Sequence, residues 1–292
     1  MYDIAFLGHY TKDTIVSSSV TRTIDGGAAF YGANVAARMG LKTAIITRLA
    51  REDFRVVEEI ETLGVRVYAK TTPNSTCLRL EYPSSNVDER VIRVISNAGP
   101  FTTEEVEQIE TRTVVVGGSM RGEINLEVME VLAQKTERIA ADAQSFVRID
   151  RGGTLLSDEW PEKQAVLALV NVLKADAVEA KLLTGSADIR TAAKLLHELG
   201  PREIVLTHRD GVLAYDGDGF HEAGFFPREL VGRTGRGDTC IASYMGRRLN
   251  ASSAEAIVWA AAVTSLKMES EGPFRRDIGE VERFIEENYR DR

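Results

Sequence analysis

At 292 residues, with 43% hydrophobic and 27% charged side chains, the chain can bury a large core as one α/β domain or two smaller ones. Its formal net charge of −8 argues against a general nucleic-acid binder, which needs a basic face, but allows a small anion held by a local positive patch. Cys77 and Cys240 offer neither metal-ligand spacing nor a disulfide framework, and no run approaches the roughly 18 apolar residues of a membrane span.

The opening stretch, MYDIAFLGHY, lacks the basic start and long apolar run of a secretory signal, so the chain reads as cytoplasmic. Residues 4–8 form a short apolar run closed by Gly8, a buried strand. Residues 14–23 (TIVSSSVTRT), rich in β-branched and hydroxyl side chains, suit a partly exposed strand pair. Gly26 and Gly27 introduce an alanine-rich helix closing at Gly40. Residues 42–49 give a second buried strand, and residues 53–63 a helix ending at Gly64. Between residues 65 and 96 apolar and polar side chains alternate, with turn signals at Pro73-Asn74 and at residues 83–86. That is the pattern of exposed antiparallel strands, expected to form a small β-lid from about residues 10–25 and 65–97.

Helix and strand then alternate. Helices are expected over residues 103–108, 126–135, 191–199, 256–267 and 281–289, and strands over 113–116, 138–141 and 203–206. This order predicts a central, mostly parallel sheet covered by helices on both faces, and one domain across residues 1–292 with the lid inserted discontinuously.

Residues 230–250, LVGRTGRGDTCIASYMGRRLN, carry the strongest chemical signal. Gly232, Gly235 and Gly237 lead to Asp238, after which Ile241, Tyr244, Met245 and Leu249 fall on one helical face. A glycine-rich turn entering a helix presents free amides and the positive end of a dipole, an anion site. Residues 232–239 read G-x-x-x-x-G-D-T, a P-loop pattern with aspartate in place of lysine. An aspartate would repel phosphate, yet it can accept the proton of an attacking hydroxyl. The helix dipole should keep Asp238 ionised, with a pKa near the usual ~4. By itself the turn fits an aspartate N-cap equally well.

Ligands of α/β sheets collect at the carboxyl ends of strands. Asp13, the Gly26-Gly27 pair, Asp142, Gln144, Arg148, Asp176, Glu179 and Thr207 all stand at or near such ends. The four histidines show no metal spacing, and Trp160 and Trp259 read as packing residues.

These residues together resemble the ribokinase-like (PfkB) sugar kinases along nearly the whole chain. Gly26-Gly27 with the helix ending at Gly40 looks like the family's N-terminal signature, and DAVEAKLLTG (residues 176–185) looks like its N-x-x-E element. THRDG (207–211) is similar to its T-x-G-x-x-G strand end, and GRTGRGD (232–238) to D-T-x-G-A-G-D. Within the family, GGAAFY and DAQSFVR are similar to segments of the myo-inositol-kinase-like group, with Ser145 where glycine is usual.

The resemblance implies a ribokinase-like three-layer sandwich that transfers the γ-phosphoryl group of ATP, with Mg²⁺, to a small polyol or sugar, myo-inositol first. Asp238 would be the base, with Gly235, Arg236 and Gly237 offering amides to the transferring group. Asp13, Gly27, Gln144 and Arg148 would hold the acceptor together with Asp238. Asp176, Glu179, Thr207, Gly211, Gly237 and Gly272 would serve the nucleotide, Glu179 organising the hydrated metal, and the apolar helix from Ala260 and the loop through Gly272 would flank the adenine. The chain departs from the family where Gly232, Arg233 and Arg236 replace aspartate, threonine and alanine, and Asp176 replaces asparagine. Tyr31 stands at the ribokinase asparagine position, which argues against ribose.

Fructokinase-like, ribokinase-like and nucleoside-kinase-like activities of the same family remain alternatives, as does a non-catalytic sugar or nucleotide sensor. An NAD-dependent oxidoreductase would need G-x-G-x-x-G directly after the first strand, where this chain has GHYTKD. No nucleic-acid or membrane partner is expected, and an exposed lid edge is a surface for homodimer pairing. The residues leave open which hydroxyl is phosphorylated, the choice of donor, and the role of Arg233 and Arg236.

Overall fold

The computed structural model describes residues 1–17, 21–83 and 90–290. Parts of two expected features, residues 18–20 of the first lid pair and 84–86 of the second lid turn, lie outside them. The chain begins with β1 (Tyr2–Leu7), the pair β2 (Thr11–Val16) and β3 (Thr21–Gly26), helix α1 (Ala28–Arg38) and β4 (Thr43–Ala50). After a 3-10 turn come α2 (Arg55–Glu61), β5 (Arg66–Thr72), β6 (Thr76–Glu81), β7 (Val91–Ser96) and α3 (Thr103–Glu107). Next are β8 (Thr111–Val116), α4 (Leu126–Lys135), β9 (Thr136–Asp142), α5 (Gln144–Val147), β10 (Arg148–Arg151) and β11 (Thr154–Ser157). Then follow α6 (Lys163–Leu167), β12 (Val172–Asp176), α7 (Ala177–Thr184), α8 (Ile189–His197) and β13 (Glu203–Thr207). β14 (Gly211–Tyr215), β15 (Phe220–Gly224), α9 (Arg236–Arg248), α10 (Ser253–Met268) and α11 (Ile278–Tyr289) complete the order.

Among the described residues nine strands form one sheet in the order β15-β14-β13-β12-β9-β8-β1-β4-β5, parallel except that β14 runs antiparallel to both its neighbours. Side chains alternate between two cores, as a strand's period of two requires. Ile4 and Phe6 pack with α1, α9, α10 and α11, whereas Ala5 and Leu7 pack with α3, α4, α6, α7 and α8. The result is the three-layer ribokinase-like sandwich expected. Helix α10 is apolar on nearly every side because α9, α11 and the sheet enclose it. No helix among the described residues is long and apolar enough to cross a membrane.

Among the described residues six strands form a second sheet in the order β10-β11-β7-β6-β2-β3, antiparallel except for β2 beside β6. Its membership differs from the expected lid in two ways. β5 pairs in register with β4, Ala44 against Arg66 through Ala50 against Thr72, as the edge of the large sheet. An edge strand exposed on one face shows the same alternation as a lid strand, so periodicity could not separate the two. The hairpin β10–β11 joins the second sheet instead, Thr154 lying opposite Arg93 of β7. Its two-residue turn is Gly152-Gly153, with φ of 62° and 81°. A tight hairpin of this twist needs positive φ at both central residues, which glycine adopts without steric cost.

Candidate active site

A cleft of about 400 Å³ opens where the carboxyl ends of β12 and β13 and the start of α9 meet residues of the second sheet. Asp13, Gly27, Gln144, Arg148, Asp176, Thr207, Gly235, Arg236, Gly237 and Asp238 all line it. Residues spread over more than two hundred positions therefore meet in one place.

Helix α9 begins at Arg236, two residues before Asp238, with Gly235 as its N-cap at φ 79°. Only glycine suits that position twice over. The backbone is left-handed, and a Cβ there would come within 2.4 Å of the Tyr31 ring. The amide of Arg236 donates to the Arg233 carbonyl at 3.2 Å. The anion site therefore differs from expectation in one member. Among the described residues, the backbone amides of Gly235, Gly237 and Asp238 have no backbone partner and remain for a ligand.

Lys174, from the middle of β12, completes this end of the site and was not picked out from sequence. It is 4% exposed, and its Nζ donates to Asp142 Oδ2 at 2.9 Å. A side chain at residue 237 would meet that Nζ at 2.8 Å, so the ammonium sits directly against Gly237. Burial works against the Lys174 charge, but Asp142, Glu179 and Asp176 outweigh it and hold its pKa above the ordinary lysine value. Removing either member of such a buried pair costs about 3–5 kcal/mol, because the other charge is stranded. A lysine inside an apolar strand that ends at a cleft was the available signal. Arg209, Arg233 and Arg236 also line this end, with His208, whose pKa burial lowers. Arg236 lies 5.8 Å from the Phe225 ring centroid.

Asp238 is held in a strongly cationic setting. Burial raises its pKa above the usual carboxylate value, while Lys174, Arg148, Lys267 and Arg90 pull it back. The expectation of an unshifted value near that of a free carboxylate is corrected by this desolvation, which the dipole argument left out. A more basic carboxylate is a better proton acceptor.

At the other end stand buried polar atoms with no hydrogen-bond partner among the described residues, including Asp13 Oδ1 and the Tyr31 hydroxyl. Both residues line the cleft. Unpaired buried polar atoms are costly, and their natural partner is a ligand carrying hydroxyl groups. Burial, reinforced by the Asp238 charge, pushes the Asp13 pKa up to about 7, with the Thr11 hydroxyl opposing. Ser119 and Gln144 face the same space, and Leu78, Leu80 and Ile92 of the second sheet supply an apolar wall. Gln144 Nε2 donates to the Gly118 carbonyl at 3.1 Å, and Ser145 Oγ accepts from the Gly118 amide at 2.7 Å.

Three expected site residues stand apart from the cleft lining. Glu179 is buried, with one oxygen accepting from Arg148 at 3.2 Å and the other from the Asp176 amide at 2.9 Å. Gly211 lies within β14, where a Cβ would meet the Ala223 carbonyl oxygen at 2.5 Å, and Gly272 has open space around it. The first is a strand-packing position and the second a turn. His9 is buried behind the site, its Nδ1 2.8 Å from Thr76 Oγ1, and Trp160 stacks on Phe146 at 4.5 Å.

Mg²⁺ commonly keeps several waters and binds through one or two carboxylates plus substrate phosphates. Asp176 suits that role. It lines the cleft, and its Oδ1 accepts the Val178 and Glu179 amides while Oδ2 makes no hydrogen bond among the described residues. Glu179 supports the same turn from behind.

The pattern of the pfkB family carbohydrate kinases matches residues 4–275. A pyrophosphate-dependent kinase in the ribokinase family, solved with a pyrophosphate analog and myo-inositol, superposes with a TM-score of 0.89 at 34% identity, covering 96% of this chain and 99% of that one. A sulfate complex of a pyrophosphate-dependent kinase in the same family gives a TM-score of 0.89 at 36% identity, with 96% and 99% coverage. A cytidine kinase of Thermococcus kodakarensis is 26% identical over 259 residues, 84% of this chain and 88% of that protein. With residues 4–275 matched and about a third of the residues shared with two solved kinases over 96% of its length, the chain belongs to the pfkB family of carbohydrate kinases.

Proposed function

We propose that this kinase transfers a phosphoryl group from inorganic pyrophosphate, in place of the expected ATP, to a hydroxyl of a cyclitol, myo-inositol first. The observation that carries the donor choice is the makeup of that end of the cleft. Arg209, Arg233 and Arg236 line it, whereas neither α10 nor Gly272, the expected adenine flank, contributes to the lining. A small, highly charged donor suits such a wall better than a nucleobase does. The identities of 34% and 36% to pyrophosphate-dependent kinases support the same reading.

In the proposed reaction the acceptor oxygen attacks phosphorus in line, its proton passes to Asp238, and the bond to the leaving phosphate breaks. The amides of Gly235, Gly237 and Asp238, together with Lys174, stabilise charge on the equatorial oxygens without reorganising. Asp13 and Tyr31 receive acceptor hydroxyls, and Gln144 and Ser119 border them. Asp176 would hold hydrated Mg²⁺, which neutralises donor charge when bound. A second reading, an ATP-dependent nucleoside kinase, is favoured by the 26% match to the cytidine kinase.

A phosphoryl-transfer screen separates the two readings. Pyrophosphate and ATP, each with Mg²⁺, are offered against inositols, ketohexoses, ribose and nucleosides, with products read by phosphorus NMR. Pyrophosphate with myo-inositol should exceed every ATP pairing in kcat/KM by about tenfold or more, the size of one charge-assisted contact. Preference for ATP, or inactivity with every polyol, sinks the proposal.

A further inference from the structure

At the C-terminal end of α10, where the neighbouring positions are all buried, stands a lysine. Lys267 is 1% exposed, and its Nζ donates to the carbonyls of Gly232 at 2.8 Å and Thr234 at 2.5 Å. Its ammonium lies 5.5 Å from the centroid of the Tyr31 ring, the same ring that backs Gly235. Lys267 does not line the cleft, although residues 233–238 do, so it stands behind the turn. The next residue holds the same stretch, the Met268 carbonyl accepting the amides of Val231 and Gly232 at 2.9 and 3.0 Å.

A trans peptide is planar, with its carbonyl and its N–H pointing in opposite directions. A cation that draws the Gly232 and Thr234 carbonyls to the rear therefore turns the amides of Arg233 and Gly235 to the front. We propose that Lys267 is a positioning residue for phosphoryl transfer, its buried ammonium holding the turn so that the Gly235 amide and those of α9's first turn face the donor. The proposal rests on the phosphoryl-transfer reading above and adds a residue that the turn itself does not contain.

The charged and titratable groups facing Lys267 are Asp238 from α9, Glu271 just past α10, and Tyr31 from α1. Glu271 is itself paired with Arg22 of β3. Burial pulls the Lys267 pKa down to about 8, against the opposing pull of Asp238 and Glu271. In the free enzyme the ammonium is intact below that pH and is lost above it. The neutral amine donates more weakly and removes a positive charge from beside Asp238.

The test compares the wild type with Lys267→Met and Lys267→Arg, using magnesium pyrophosphate and myo-inositol from about pH 6 to about 9.5, a window spanning the shifted lysine. Wild-type kcat/KM for the donor should fall above a pH of about 8. Lys267→Met should lower it about 10- to 100-fold, the size of two charge-assisted hydrogen bonds only partly replaced, lose the alkaline limb, and leave the acceptor KM within about twofold. Lys267→Arg should recover part of the activity and move the limb upward, since a guanidinium keeps its charge. A merely structural role would lower Tm without changing the pH profile of the folded fraction. The proposal is overturned if Lys267→Met keeps the wild-type limb or loses less than about threefold, below a single hydrogen bond's contribution. Should that variant not fold, an alkaline limb unmoved in Lys267→Arg overturns it equally. A wild type inert toward every donor and acceptor overturns the phosphoryl-transfer reading as well, which separates the two failures.

Discussion

The two ends of the cleft are assembled differently. At the proposed donor end, residues 233–238 make one turn and enter α9, so two arginines, the ligand-facing amides and Asp238 arrive together from a single stretch. At the proposed acceptor end Asp13 comes from β2, Tyr31 from α1, Leu78 and Leu80 from β6, and Gln144 from α5. The first end is preorganised by local backbone geometry and braced by buried lysines. The second takes its shape from the way one sheet is seated beside the other. Substitutions at the donor end should therefore change turnover or donor affinity in a nearly intact fold, whereas those at the acceptor end should couple binding to stability.

The largest effect tests the donor end directly. Asp238→Asn should lower kcat about 10²- to 10⁴-fold, as loss of a general base does, with far-UV circular dichroism and donor affinity close to wild type. Near-normal turnover would remove Asp238 from the mechanism. Arg233→Ala should come next, raising the donor KM about 10- to 100-fold while the acceptor KM stays within about twofold. Equal losses in both constants would mean that the two ends are not separable.

Asp13 probes the coupling at the acceptor end. Its folded-state pKa of about 7 exceeds the unfolded value of 3.8. Between those values the folded chain keeps a proton that the unfolded chain releases, so stability falls as pH rises through the window, and the full penalty stands above about pH 7. Asp13→Asn should therefore raise Tm at pH 8 by about 2–6 °C, with the gain shrinking toward pH 4, and should raise the acceptor KM about tenfold. Calorimetry and steady-state kinetics on one preparation read both. A Tm gain that does not vary with pH would detach stability from the carboxylate. The smallest expected effect is that of Leu78→Val in the apolar wall, about fourfold in acceptor kcat/KM for one methylene, with donor constants unchanged.

How far each part could be read from sequence follows from the range of the interactions that make it. The glycine turn into α9 depends on residues a few positions apart, so its spacing was visible directly. The residues of β5 were assigned to the wrong sheet because period-two alternation reports half-burial and not the partner strand. Lys174 escaped notice because its carboxylate partner, Asp142, lies 32 residues away. Glu179 was read as a site residue from its motif, and its pairing with Arg148, 31 residues away, became visible only in three dimensions.

The amino-acid order alone determined the alternating α/β layers, the strand-end loci and the glycine turn before Asp238. Each arises from local backbone propensity and hydrophobic period, which a linear chain carries in full. Tertiary structure alone decided which strands form the second sheet, which lysines stand behind the turn, and how far burial shifts Asp13 and Asp238. Desolvation and ion pairing depend on neighbours brought from distant positions, and only packing sets those distances.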